Sequence, residues 1–195
     1  MTTLFPRTKL VVLLLLTSTS GCRTAGSAGD AAEALRGEPL EFERLQVGSV
    51  YGIGSRFESD DLKFVVDGFG EGLGNAEVAR AVEAASGKPS KDAGAKTLRL
   101  SHATLRCQAP GVKHLEFDFV DNGGPVALEI AGVVRAVANF IQLDGVQMGS
   151  VRIAVSESST AGIRHGRVVL RGALSKFAIA GAELEVADLR LSRDD

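Results

Sequence analysis

The sequence predicts a mainly β fold: a single antiparallel domain over residues 40–195, either a β-sandwich or a curved sheet, with one short helix. A signal peptide and a flexible tether precede it. Two observations support the fold class. Apolar and polar residues alternate over short runs, which is typical of strands that bury one face. Gly, Asn, Asp and Pro separate these runs, and the 23 glycines of the chain provide many turn-forming positions.

Five runs predict strands in chain order, and each places its large apolar residues on one face. These residues are Leu62, Phe64 and Val66; Leu115, Phe117 and Phe119, with Glu116 and Asp118 opposite; Val151, Ile153 and Val155; Val168 and Leu170; and Phe177, Ile179, Leu184 and Val186. In the last run the apolar phase shifts by one residue before Leu189 and Leu191. This shift predicts a β-bulge near Ala187–Asp188, with a break into two strands as the alternative.

Two connections have a recognisable composition. Residues 120–126, VDNGGPV, predict a hairpin turn, because Asn122–Gly123 accepts positive φ and Pro125 suits the start of the returning strand. Residues 75–87 predict the helix, because Asn75 is a good N-cap, small apolar residues follow at helical spacing, and a glycine ends the run.

Residues 130–142, IAGVVRAVANFIQ, fit either a helix or a strand. As a strand, the stretch 133–141 would be apolar on both faces. Such a strand lies between two covering layers or lines an apolar groove. The candidate apolar surface of the chain therefore consists of five residues, which are Val133, Val134, Val137, Phe140 and Ile141.

The first 21 residues predict an export signal. Arg7 and Lys9 precede an apolar run, residues 10–16, and small polar residues follow it up to Gly21. This order is that of a secretory signal peptide. A helix needs about 20 apolar residues to span a bilayer, so this run is too short to do so.

The residues TSGC, 19–22, resemble the lipobox of bacterial lipoproteins, in which an apolar residue, a small residue and Gly or Ala precede a cysteine. Ser20, Gly21 and Cys22 match the pattern, whereas Thr19 departs from it. The resemblance implies cleavage between Gly21 and Cys22, a lipid on the Cys22 sulfur and an acylated amino terminus. Arg23 then implies an outer-membrane position facing the periplasm if the host is Gram-negative. An ordinary cleaved signal or a retained anchor is the alternative.

Residues 22–39 predict the tether between the lipidated cysteine and the domain. They are rich in Ala and Gly and almost devoid of large apolar side chains. Such a segment buries too little surface to fold by itself. As a flexible chain it spans about 20–25 Å, which lets the domain lie some distance from the anchor.

The chain has only two cysteines, and acylation of Cys22 leaves Cys107 alone. A single cysteine in an exported domain is expected to be a small buried apolar side chain. A disulfide between Cys22 and Cys107 is the alternative.

Charge and composition exclude several functions. Of the 22 basic and 24 acidic side chains, residues 1–21 hold two basic and no acidic ones, so the remainder carries a formal charge of −4. This balance argues against nucleic acid as a partner. The glycine-rich stretch 67–75 does not complete a dinucleotide motif, and the acidic stretch 58–61 lacks the ligand spacing of a calcium loop. The three histidines lack zinc-ligand spacing, and no nucleophile elbow is present.

We therefore expect no catalytic residues, no metal and no cofactor. The sequence favours a lipid-anchored protein of the cell envelope whose β-rich domain is a non-catalytic scaffold or interaction subunit. Its partners are then the membrane, through the lipid anchor, and an envelope protein. The alternative is binding or transfer of a lipid or another apolar ligand through an apolar groove, for which the stretch 133–141 is the sequence support.

Overall fold

The computed structural model describes residue 42 and residues 45–59, 62–70, 74–80 and 96–193. These residues belong to one compact unit, Leu35–Asp195. The predicted signal peptide, Cys22 and the tether lie outside the described residues. Within the described residues the chain is strand-rich and contains a 3₁₀ turn but no α-helix. The predicted mainly β class is therefore confirmed.

The described residues form ten strands in one antiparallel sheet. The strands are β1 (Val50–Gly52), β2 (Arg56–Ser59), β3 (Leu62–Gly68), β4 (Asn75–Arg80), β5 (Lys96–Asp121), β6 (Val126–Ile130), β7 (Val133–Val137), β8 (Gln147–Met148), β9 (Val151–Thr160) and β10 (Ile163–Ser192). The main path across the sheet is β1-β4-β5-β10-β6-β7, while β3 joins β2 to β5 and β9 joins β8 to β10. Of the two predicted architectures, the curved sheet is thus the one observed.

Two long strands organise this sheet. Residues 164–186 of β10 pair with residues 98–121 of β5, and residues 184–192 of β10 pair a second time with residues 114–121. The segment 114–121 therefore lies between two parts of the same strand. Sheets curl in this way where bulges interrupt long strands, and the register of β5 and β10 shifts at several such points.

The predicted bulge near the end of the chain is confirmed. Ala187 pairs with Asp118 and Arg190 pairs with Glu116, so β10 has one residue more than its partner between these two pairs. Asp188 has a φ of 46°, which is the left-handed conformation that such a bulge uses. The extra residue returns Leu189 to the buried face.

The helix predicted over residues 75–87 is wrong for the part that the structure describes. Asn75–Arg80 form β4, which pairs with β5 and β1. A Cβ on Gly74 would lie 2.0 Å from the carbonyl oxygen of His102, so the chain enters β4 directly against the β5 backbone. Sheet pairing then overrides local helix propensity. Residues 81–87 lie outside the described residues.

The hairpin turn predicted over residues 120–126 is also wrong. Asp121 pairs with Leu184 and Val126 pairs with Gly181, so β5 and β6 follow one another along the same edge of β10. Residues 122–125 interrupt one long strand path and do not reverse it. Gly124 lies there at a φ of 83°, and a Cβ on it would meet the Ala182 side chain at 2.7 Å.

The ambiguous stretch 130–142 is neither one helix nor one strand. Ile130 ends β6, and Ala131–Gly132 turn the chain with φ values of 52° and 90°. Strand β7 then runs to Val137, and a 3₁₀ turn follows at Phe140–Leu143. A two-residue turn with two positive φ values is the usual connection of a tight hairpin.

The core is one cluster along the inner face of the curved sheet. It contains the apolar residues predicted to face inward, and its largest fully buried side chains include Phe64, Phe117, Phe119, Phe140 and Phe177. These phenylalanines come from β3, β5, the 3₁₀ turn and β10. Burial of the rings therefore links distant parts of the chain to one another.

Cys107 belongs to this core, as predicted for a small apolar side chain. It is free and buried, and burial raises the pKa of its thiol to about 12. Cys22, the partner in the alternative disulfide, lies outside the described residues.

Candidate interaction surfaces at two sheet edges

The exposed large apolar side chains of the described residues fall into two groups. One group is Val133, Val134 and Ile141; the other is Val47, Val50 and Ile53. We call the first group with strand β7 the β7 edge, and the second group with strand β1 the β1 edge. Strands β1 and β7 are the two ends of the main path across the sheet. Exposed apolar residues thus collect where the sheet has open edges.

The β7 edge has one strand neighbour among the described residues, which is β6. A two-residue turn makes its flanking residues, Ile130 and Val133, a hydrogen-bonded pair, and such pairs alternate along a hairpin. The amides of Val134 and Ala136 therefore face the open side of the sheet. Val133–Ala136 are also exposed as side chains.

A buried ion pair fixes the far end of β7. The Arg164 guanidinium donates to the Ala138 carbonyl at 3.3 Å and contacts the fully buried Asp121 carboxylate at 2.8 Å. The second Asp121 oxygen accepts the Gly123 amide at 2.9 Å. These bonds join the end of β7 to β10 and to the 122–125 interruption, so the edge rests on a rigid support.

The five predicted surface residues are not all at the surface. Val133, Val134 and Ile141 are exposed, while Val137 is partly buried against the core. Phe140 is fully buried, and its ring centroid lies 5.0 Å from that of Phe119 in an edge-on contact. Phe140 is therefore not part of the candidate apolar surface. The doubly apolar strand that suggested a groove ends at Val137, because the 3₁₀ turn rotates Phe140 into the core.

The β1 edge was missed by sequence reasoning. Strand β1 pairs with β4 through Val50 and Glu77, and the Tyr51 ring stacks at 4.6 Å on Phe57. Phe57 in turn stacks on Phe64 in the core at 5.1 Å. Tyr51 thus faces inward, and alternation along the strand turns Val50 outward. The sequence does contain an indication of this edge, because valine and isoleucine alternate with glycine-containing turns over residues 47–54.

The outer face of the sheet carries cross-strand ion pairs. Arg106 donates to Asp67 at 2.9 Å and also bonds Glu129, and these partners raise the pKa of its guanidinium. Arg99 donates two bonds to one Glu185 oxygen. Arg99 connects the neighbouring strands β5 and β10, and Arg106 connects β5 to β3 and, across β10, to β6. The charges of these side chains therefore compensate one another.

Glu116 was predicted on the outward face but is almost completely buried. Its segment has β10 on both sides, so the arginines of both β10 segments cover it. Arg167 binds Asp118 at 2.6 Å and lies 3.6 Å from Glu116, while Arg190 lies 3.8 Å from Glu116. The hydrogen bonds to Asp118 raise the pKa of Arg167. Arg167 and Arg190 therefore compensate the negative charge of the buried Glu116 side chain.

Two pairs of potentially reactive side chains can be located in the described residues. His102 is exposed on β5, whereas Cys107 is buried, so they form no thiol–imidazole pair. The Ser158 oxygen and the His165 Nε2 are 2.8 Å apart on the outer face, a pair that the sequence did not suggest. The adjacent acid, Glu157, lies on the opposite face of β9 by strand alternation and cannot orient this histidine.

Two further findings concern the described residues. They contain no group of three or more His, Cys, Asp or Glu side chains placed to hold a metal ion. They also contain no helix with the length and hydrophobicity that a membrane crossing requires.

Comparison with protein-family models, with curated proteins and with solved structures yields no match to this chain.

Proposed function

We propose that the chain is a lipid-anchored protein of the cell envelope whose β domain is a non-catalytic interaction subunit. Its partner is an envelope protein that adds an extended segment to the β7 edge. The observation that carries this proposal is the open β7 edge, with outward amides and exposed valines. The lipid at Cys22, and an outer-membrane position in a Gram-negative host, follow from the resemblance of residues 19–22 to the lipobox.

Strand addition suits this edge for three reasons. An added strand gains backbone hydrogen bonds from one partner and side-chain specificity from alternate positions. Proteins usually protect an open edge with charges, prolines or bulges, whereas Arg135 is the one charged residue among the five of β7. The edge is also held at both ends, by the Ala131–Gly132 turn and by the Arg164 bonds, so binding costs little ordering of the chain.

A crosslinking experiment in the native host tests the partner. The full chain carries a photocrosslinking amino acid in place of Val134 and is irradiated in intact cells. We expect a discrete crosslink to one envelope protein. Adding Ala136→Pro removes an outward amide and is expected to abolish the crosslink, while the matched Ala136→Val keeps the amide and retains it. A crosslink that survives Ala136→Pro, or one that forms to lipid alone, would refute strand addition.

The anchor has a separate test. Replacing Cys22 with Ala removes the acceptor sulfur, so the chain is expected to leave the membrane fraction for the soluble fraction. Intact-mass measurement of the exported wild-type protein should show acyl chains on a polypeptide that starts at Cys22. An unmodified thiol, or an unchanged membrane fraction for Cys22→Ala, contradicts the anchor.

A further inference from the structure

The β1 edge lies where the chain enters the domain. Phe42 and Leu45 are the first described residues, and both are buried in the core. The Phe42 ring lies 6.4 Å from that of Phe64, and Lys96 Nζ donates to the Leu45 carbonyl at 2.8 Å. The first exposed apolar side chain, Val47, follows two residues later. The start of the domain is therefore fixed directly beside this edge.

This position limits the distance between the β1 edge and the bilayer. About twenty residues separate Cys22 from Phe42, and the tether that the sequence predicts there would span roughly 25 Å. An anchor at Cys22 thus keeps the β1 edge within a few nanometres of the bilayer, at a high effective concentration. Any surface that binds lipid weakly by itself is then able to bind it in the tethered protein.

The chemistry of the edge fits the boundary between headgroups and acyl chains. Val47, Val50 and Ile53 are exposed. Tyr51, the only tyrosine of the chain, is next to Val50 in β1, and its partly buried ring packs inward against Phe57. Gly48 and Gly54 have open space around the position of a Cβ, so these turns present little besides the apolar side chains. A small group of exposed aliphatic residues at one surface is typical of proteins that rest on a membrane interface.

The charges around the edge are of both signs. Arg56 and Lys96 flank it, and Glu77 lies opposite Val50 on β4. The edge therefore has no large positive potential of the kind that binds anionic lipid. A zwitterionic bilayer is the surface that it matches best.

We propose that the β1 edge inserts into the interface of the same bilayer that holds the lipid anchor, so that the protein contacts the membrane at two points. The proposal rests on the lipid anchor of the proposed function. The acyl chains supply membrane affinity, and the β1 edge fixes the orientation of the domain on the surface.

Tyr51 is a native probe of this contact, because the chain has one tyrosine and no tryptophan. The acylated full chain is reconstituted into phosphatidylcholine vesicles whose lipids carry bromine either near the headgroup or at the chain ends. We expect headgroup-proximal bromine to lower Tyr51 emission by about twofold, because Val50, its neighbour in β1, is then expected to lie about 5–10 Å into this region. Bromine at the chain ends should have a smaller effect.

Two matched variants decide the assignment. Val50 and Val134 are each 60% exposed, so aspartate at either position disturbs folding to a similar, small extent. Val50→Asp is expected to abolish the quenching, and Ile53→Asp to weaken it, whereas Val134→Asp on the β7 edge leaves it unchanged. Equal loss in Val50→Asp and Val134→Asp would overturn the assignment.

Vesicle flotation separates this inference from the anchor. Protein that floats with the vesicles but shows no quenching keeps the anchor and overturns the contact of the β1 edge. Wild-type protein that does not float overturns the anchor and this inference together. Flotation with quenching that Val50→Asp removes supports both.

Discussion

Cys107 makes the stability of this domain depend on pH in the alkaline range. Burial raises the pKa of its thiol from an ordinary value of 9.0 to about 12. The folded chain therefore holds the proton more tightly than the unfolded chain. Its contribution to stability is complete below pH 9 and is lost as the pH rises from 9 towards 12. Each unit of pKa difference corresponds to about 1.4 kcal/mol, so the loss at pH 11 is about 2–3 kcal/mol.

The measurement is urea unfolding of the Cys22→Ala chain, in which Cys107 is the only thiol, followed by far-UV circular dichroism at pH 8 and pH 11. The same pair of measurements on Cys22→Ala/Cys107→Ala provides the control, because this chain lacks the thiol and keeps every other effect of pH. We expect the free energy of unfolding to fall by about 2–3 kcal/mol more in the thiol-containing chain. An equal fall in both chains would falsify the reasoning.

At pH 8, alkylation of the Cys107 thiol should be about a thousandfold slower than alkylation of an exposed thiol.

Three further changes test the packing of the domain, each by the urea midpoint at constant m-value. Phe140→Ala should cost about 3–5 kcal/mol, because its ring is fully buried in the core; a cost below 1 kcal/mol would place the ring at the surface. Arg164→Met should cost about 3–5 kcal/mol, because the buried Asp121 carboxylate loses its charge partner; adding Asp121→Asn should recover most of this loss. Gly166→Ala should cost about 1–3 kcal/mol, because its Cβ would lie 2.0 Å from the Ser156 carbonyl oxygen; an unchanged midpoint would contradict this close approach.

Features that depend on neighbouring residues could be predicted from the sequence. The alternation of Leu115, Phe117 and Phe119 is visible within five consecutive residues. The phase shift that marks the bulge at Asp188 is likewise visible within a few residues. Cys107 was placed in the core by its apolar character and lack of a partner. Each of these predictions needs only the rule that one face of a strand is buried.

Features that depend on distant residues could not be predicted in this way. Residues 75–80 fit the pattern of a helix, and it is pairing with the distant strand β5, where Gly74 meets the β5 backbone, that makes them a strand. The composition of residues 122–125 is that of a hairpin, but the pairing partner of both flanking strands is β10, far along the chain. The exposed residues of the β1 edge were missed because the order of strands in the sheet, which sequence patterns do not contain, decides which strand is an edge.

The double pairing of the segment 114–121 has a consequence for biosynthesis. One side of this segment remains uncovered until residues 184–192 have been made, about sixty residues later, because the second set of pairs forms only then. A nascent chain that lacks them exposes part of its phenylalanine-rich interior and cannot reach the native state early. Delayed folding of this kind is compatible with the export proposed above, since the chain stays unfolded until its last strand has been made. The same delay creates a need for chaperones that shield the unfinished sheet from aggregation.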